Sequence, residues 1–323
     1  MKGKLGAAAG VLHPIMDTYM DSAVAVVGCC SRGIARYSCE YDVLVVGTEK
    51  RPSTSLKIGD DYVDIEFTTE KDVLKPSDPE HAMSLAFAKP IRDSSLIIST
   101  ATAASSATLT ESATKASRTR LASALKTIGR AEVALAKKSA IDADFWLLAS
   151  SYEFAYASLL ARETLPSPSH LLSQLRSTRG PSKGFEGISI GSGLEAAGRA
   201  GCGARLEGLA VLHDLLREGS SEETTQLRWP AVRTESLSAK ADELVTRIEL
   251  AECYSFLGQE LVDALLEVLR RHPKATLATL TSGKDTLLGE RLVRQLGLVR
   301  GEEAVRAGLE ALKGQVNLLA KKA

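Results

Sequence analysis

The sequence predicts an α+β protein, with a small mixed β-sheet domain in roughly the first hundred residues and helices from there to the end. Three observations carry that prediction. Apolar runs of strand length stand at Ala23–Val27, Glu40–Gly47 and Tyr62–Phe67, the last alternating apolar and acidic side chains with the period of a half-buried strand. The composition turns to Ala, Ser and Thr between Ala101 and Ser117. Beyond it, apolar residues recur at three- and four-residue spacing, as in Phe145, Leu148, Tyr152, Ala155 and Leu159.

Taken in order, His13–Ser22 reads as a short helix with Pro14 near its start, leading into the strand Ala23–Val27. A turn, Gly28–Gly33, follows, and Ile34–Cys39 returns the chain to the strand that begins at Glu40. Thr48–Gly59 reads as a polar connection carrying Lys50, Arg51 and Lys57. After the strand Tyr62–Phe67, Pro79–Phe87 reads as a helix and Ser95–Ser99 as an edge strand or strand end. Ala101–Ser117 is either a linker or the entry to a helix. Ala122–Lys138 and Asp142–Glu163 are helical, Leu165-Pro166-Ser167-Pro168 stops the second, and Ser169 caps a short helix through Arg176. Residues 180–203 hold eight glycines, which argues for a connection or a ligand-facing loop rather than a continuous helix. Glu207–Leu216, Ser236–Tyr254, Gln259–Arg271 and Gly301–Leu319 complete the helices. The expected domains are 1–105, 118–180 and 204–323, with the glycine-rich segment 180–203 between the last two.

Forty basic and forty acidic side chains cancel, so no global field draws the chain to nucleic acid or to an anionic membrane. A small or local substrate is favoured over a long polynucleotide. No apolar run reaches the length of a membrane span and the N-terminus does not read as a signal peptide. Five cysteines, an odd number, suggest reduced thiols and a cytoplasmic setting. Assembly as a homodimer is compatible with the sequence.

The stretch Ala23–Gly47 carries the chemistry. Two apolar runs flank a turn that begins at Gly28, and Glu40 and Asp42 stand at the mouth of the second run. Side chains alternate faces along a strand, so two carboxylates two residues apart point the same way. Backbone N–H groups at Gly28, Cys29 and Cys30 would form an anion-binding nest, to which Ser31 and Arg32 could add a hydroxyl and a cation. Asp64 and Glu66 share the polar face of the following strand.

Glu40 follows Gly28 by twelve residues and Asp42 by fourteen. In that register the stretch resembles the Gly-Ser…Asp-x-Asp motif of the nucleotidyltransferase superfamily that includes DNA polymerase beta and kanamycin nucleotidyltransferase. Cys29 stands where the family usually has Ser, Arg32-Gly33 where many members have Arg-Gly, and Glu40-Tyr41-Asp42 where most have Asp-x-Asp. The resemblance implies transfer of a nucleoside monophosphate from an NTP, with ATP expected, to an acceptor hydroxyl, with release of pyrophosphate by a two-metal mechanism using Mg2+ or Mn2+. It implies Glu40, Asp42 and a third carboxylate as catalytic metal ligands, the third being Asp64 in its Val-Asp-Ile context or Glu66 as the alternative. It implies Gly28, Cys29, Ser31 and Arg32 at the nucleotide. The acceptor would be a small molecule, a protein or an RNA end. The segment PSPSHLLSQL, closing a helical pair, is similar to the HEPN-like helical domain that often follows such a core. A carboxylate from the helices, Asp144 or Glu153, would serve as general base in the manner of antibiotic-modifying relatives. Cys29 and Glu40 depart from the pattern and leave open a second function, a degenerate core acting as a regulatory or toxin-neutralising partner.

Other patterns carry less. Cys29, Cys30 and Cys39 lack the fourth ligand and CxxC spacing of a zinc site, so small buried packing is expected. Gly191-Ser-Gly193-Leu-Glu-Ala196 has dinucleotide-type glycines without a surrounding βαβ unit, and Gly283-Lys284 lacks the rest of a P-loop. The five histidines are scattered, and Trp146 and Tyr152 are expected in the core.

Overall fold

The structure is a computed structural model and describes residues 4, 9–177, 183–218, 231–271, 293–295, 297–298 and 300–321. The chain is α+β. It divides into two compact units: 1–115 with 217–243, and 116–216 with 244–323. The three-part division read from the sequence becomes two, because most of the last region belongs with 118–180 and a helical piece of it returns to the sheet.

In the first unit a five-stranded mixed sheet has the order β3-β4-β2-β1-β5, formed by β1 (Ala23–Val26), β2 (Tyr41–Gly47), β3 (Thr54–Ile58), β4 (Asp61–Thr69) and β5 (Lys89–Arg92). β2 and β4 are parallel, with Asp42 paired to Asp64 and Leu44 to Glu66, and the other neighbours are antiparallel. One face packs Val24, Val26, Val43, Val45, Val63 and Ile65 against α1 (Ala9–Thr18). The other packs Ala25, Leu44 and Val46 against α3 (Glu70–Leu74), α4 (Pro79–Ala86) and α5 (Ile97–Ala107). Burial on both faces explains the unbroken apolar run of β2. On β4 the residues in step with Leu44 and Val46 are Glu66, exposed, and Thr68, so the helical cover gives out toward the strand starts.

Two strands differ from the sequence reading. The polar connection contains β3, whose partly exposed edge position leaves too weak an alternation to register. The last strand is Lys89–Arg92 rather than Ser95–Ser99, where α5 already begins. Pro90 hides that strand from propensity, and an edge is where a sheet accepts proline. Of the two readings of 101–117, the helix holds: α5 is followed directly by α6 (Leu109–Ala136).

The second unit is helical, built from most of α6, α7 (Ala140–Leu160), α8 (Leu171–Ser177), α9 (Lys183–Ser192), α10 (Arg199–Glu218) and the helices Leu250–Arg271 and Glu302–Ala320. Several of its buried charged groups are paired. Glu252 accepts from the N–H groups of Leu172 and Ser173, at 2.9 and 3.0 Å, at the start of α8. The buried Arg205 donates to the carbonyls of Tyr254 and Ser192 and lies over the Tyr254 ring. No helix among the described residues is long and apolar enough to cross a membrane.

Here the glycine-rich segment is corrected, since α9 runs through the positions expected to be a loop. Gly184, Gly187 and Gly191 share one face and face Ser158, Phe154 and Ser151 of α7. A Cβ on Gly187 would come within 2.3 Å of Phe154 Cδ1, and one on Gly191 within 2.4 Å of Ser151 Cβ and 2.9 Å of the Leu147 carbonyl. Glycine permits this close approach of two helices at the cost of helix propensity. Alanine at Gly191 should therefore destabilise by about 1–3 kcal/mol through overpacking, although propensity favours it. At Gly129 of α6, where a Cβ meets nothing within 4 Å, alanine should stabilise by about 0.5–1 kcal/mol. Denaturant melts of both variants check the opposite signs.

Candidate active site

β1 delivers the chain to Gly28, and Val27 donates its N–H to the Asp42 carbonyl at 2.9 Å, extending the β1–β2 pairing to the turn. Gly28 has φ +65°, a left-handed conformation that disfavours a side chain, and a Cβ there would stand 1.9 Å from Asp42 Oδ2. Both conformation and space require glycine: the Asp42 carboxylate lies against its Cα.

The turn becomes a short helix, α2 (Gly28–Ser31). Ser31 Oγ and Arg32 Nε donate to the Gly28 carbonyl at 3.0 and 3.1 Å. Cys29 is buried, packed with Cys30 and Cys39 in the core on the α1 side of the sheet, which matches the packing role expected for the three thiols. Hydrogen bonding with Cys30 is the largest influence raising the Cys29 pKa; burial and the nearby Asp42 charge add to it. Cys29 therefore remains a neutral thiol.

Glu40, Asp42 and Asp64 converge, with one carboxylate oxygen from each lying within 4.8 Å of the others. Parallel pairing sets Asp42 beside Asp64, and Glu40 stands just before β2. The alternative third ligand, Glu66, lies farther along β4 with its side chain 52 % exposed and 3.7 Å from His81 Nδ1. Asp64 is the carboxylate that joins the group.

The electrostatics separate the three. Burial raises the Asp42 pKa well above its ordinary value, and the charges of Glu40 and Asp64 push the same way. Burial and the Glu40 charge raise that of Asp64, against a hydrogen bond from Ser55. Burial also opposes ionisation of Glu40, but the charge and hydrogen bond of Lys240 outweigh it and hold its carboxyl below the ordinary range. An all-oxygen carboxylate set at this spacing, with two members raised by burial and repulsion, suits a hard divalent cation such as magnesium. A cavity of about 540 Å3 opens beside it, lined by Asp42, Asp64, Glu66, Ser55 and Arg233 among others.

Lys240 and Arg233, which sequence reasoning missed, come from the helix Ala231–Thr246. Its first-unit portion is fastened to the sheet side by three links: Lys57 to Glu235 at 3.3 Å, the Ser38 N–H to Glu243 at 2.7 Å, and the ion pair of Lys240 with Glu40. The available signal was two basic residues seven apart on one helix, which lie on the same face. Ser55, also missed, sits on the unrecognised β3.

The general-base candidates belong to the helical unit. Asp144 is fully buried and accepts from Arg300 Nε at 2.7 Å and from its N–H at 3.2 Å, so it is a member of a structural ion pair. Glu153 is paired with Arg120 at 3.1 Å. Tyr152 is buried and donates to the Ser255 carbonyl at 2.7 Å. Gly191 closes α9 and Gly193 precedes a 3-10 turn, so no dinucleotide motif forms. Gly283-Lys284 lies outside the described residues.

No family model matches the chain, and no curated protein matches it in sequence. Among solved structures it is similar to a nucleotidyltransferase-like protein from Exiguobacterium sibiricum. That match covers 90% of this chain and 88% of the other at 13% identity, with a TM-score of 0.35.

The raised Asp42 pKa has a consequence for stability. The folded state holds this proton more tightly than the unfolded chain, whose carboxyl titrates near the ordinary 3.8. The associated stability is complete below that value and is lost as pH rises through the raised folded value. In a chelating buffer, Asp42→Asn, which fixes the uncharged form, should match wild type at low pH and melt at progressively higher temperature than wild type as pH rises. A constant difference across the range would contradict the assignment. Glu40 acts in the opposite sense but is common to both proteins.

Proposed function

We propose that the chain is a magnesium-dependent nucleotidyltransferase that moves a nucleoside monophosphate from an NTP, expected to be ATP, to an acceptor hydroxyl with release of pyrophosphate. One observation carries the reading: the carboxylates of Glu40, Asp42 and Asp64 meet within 4.8 Å, Asp42 pressed on Gly28, with Asp42 and Asp64 at the wall of a nucleotide-sized cavity. Divalent magnesium or manganese bound there would acidify the acceptor hydroxyl and offset the charge of the triphosphate and leaving pyrophosphate. Asp42 and Asp64 orient the site from neighbouring strands, with Glu40 as third member. Gly28 leaves room at the turn, where the first N–H groups of α2, including that of Cys29, would receive phosphate oxygens. Ser31 and Arg32 hold the turn through the Gly28 carbonyl, and Arg233 offers a cation on the cavity wall. The acceptor is a small molecule, a protein or an RNA end, and the balanced net charge favours the smaller ones. A cytoplasmic setting accords with five cysteines of which none is in a disulfide.

A second reading, a catalytically degenerate core that serves as a regulatory or toxin-neutralising partner, draws on a specific observation. Glu40 is already ion-paired to Lys240, and the Cys29 thiol faces the core.

A thermal-shift experiment separates the two. Magnesium with an NTP at about 100 times its Kd adds about 2.7 kcal/mol to a site that binds only the folded protein, which would raise the melting temperature by several degrees. Asp42→Ala should abolish that rise. Labelled NTP should also transfer its monophosphate with stoichiometric pyrophosphate when acceptor is present. A folded wild-type protein showing neither magnesium-dependent stabilisation by any NTP nor transfer rejects the enzyme.

A further inference from the structure

Lys240 is the least expected group in the first unit. Its side chain is 9 % exposed, and its ammonium is ion-paired to Glu40 Oε2, an oxygen of the carboxylate group that would hold the metals. A buried ammonium is costly unless paired. Here the pairing is with the one member of the group that stands before β2 instead of within the sheet. Asp42 and Asp64 lie side by side on paired strands and are in no ion pair among the described residues. The ammonium is therefore taken up by Glu40, and the two carboxylates left to a divalent cation are both on the strand pair. Arg233 reaches the cavity wall from the same helix, seven residues earlier, and adds positive potential.

We propose that Lys240 is a resident counter-cation standing where a second divalent ion would bind, so that the nucleotide-free protein takes one divalent cation, between Asp42 and Asp64. This rests on the magnesium-site reading above and sharpens it. A cation seated at Glu40 Oε2 and the Lys240 ammonium cannot occupy the same place, and like charges at contact distance repel. Lys240 is thus a positioning residue, which assigns Glu40 to the protein's own cation and the strand aspartates to the metal. A purely structural role, fastening the helix Ala231–Thr246 to the sheet, would instead leave the number of ions untouched.

The test counts Mn2+ bound to the full-length, nucleotide-free protein by the loss of its free-ion paramagnetic resonance signal, with circular dichroism melts to show that each variant is folded. Wild type should bind one ion per chain and Lys240→Arg one. Lys240→Met should bind two, or one at least about tenfold more tightly, as expected when a charge worth about 1.4 kcal/mol or more of repulsion is removed. Asp42→Asn should lose the wild-type ion. Two ions in wild type, or a Lys240→Met protein identical to wild type in number and affinity, overturns the proposal while leaving the magnesium site standing. An ion that survives in Asp42→Asn lies elsewhere and also overturns it. No ion in wild type or either Lys240 variant rejects the magnesium site and the proposal together. Should Lys240→Met not fold, Glu40→Gln decides: it must still bind one ion, and loss of that ion makes Glu40 a ligand and overturns the assignment.

Discussion

Two half-buried carboxylates side by side on parallel strands repel each other, and the first unit is arranged around that repulsion. The β2–β4 register puts Asp42 opposite Asp64, and a shift of one residue would turn one of them to the other face of the sheet. The apolar residues downstream hold the register: Val43 and Val45 with Ile65 pack on the α1 side, while Leu44 and Val46 lie under α3–α5. Hydrophobic burial along two strands thus holds together at their N-terminal ends a charge pair that would not associate unaided. The relief comes from outside the strand pair, through the ammonium of Lys240 on Glu40 and the hydrogen bond of Ser55, on the edge strand β3, to Asp64.

The helical unit solves a different problem by close approach. Glycines on α9 bring its backbone against α7, and Gly258 on the helix Leu250–Arg271 leaves space for the Arg205 guanidinium, whose Nη1 would stand 2.1 Å from a Cβ there. Buried charges in this unit sit in closed arrangements: Asp144 with Arg300, Glu252 on the start of α8, and Arg205 on two carbonyls. Each makes hydrogen bonds to protein groups, which suits side chains that build a scaffold. The carboxylates of β2 and β4 line a cavity instead. This contrast separates the aspartates on the strands from Asp144, although all three are shielded from water to a large degree.

What could be read from the sequence follows the range over which each feature is determined. Gly28, Glu40 and Asp42 lie in one stretch between two apolar runs, so their shared geometry follows from strand alternation and a short return. The choice between Asp64 and Glu66 could not be made that way, because both lie on the same face of one strand and only the pairing partner of Asp42 distinguishes them. Lys240 and Arg233 were out of reach for the same reason on a larger scale: about two hundred residues separate them from Glu40, and helical periodicity says which face they share, not what that face meets. The glycines of α9 misled because propensity charges glycine locally, while the compensating contact with α7 is tertiary.

The turn at Gly28 shows how the departures from Ser and Asp fit together physically. With Cys29 in the core and the Ser31 and Arg32 side chains bonded to the Gly28 carbonyl, the side chains of the turn serve its own conformation. A phosphate arriving there would meet backbone N–H groups and, across the cavity, Arg233. Glutamate at position 40 is consistent with the same division of labour. Its extra methylene lets a carboxylate anchored before β2 reach the Lys240 ammonium of a distant helix, whereas aspartate at that position would hold its charge closer to the strand and to Asp42. On the function proposed above, Cys29 and Glu40 would then be one adaptation, with backbone N–H groups in place of a serine hydroxyl and the Lys240 ammonium in place of a cation at Glu40.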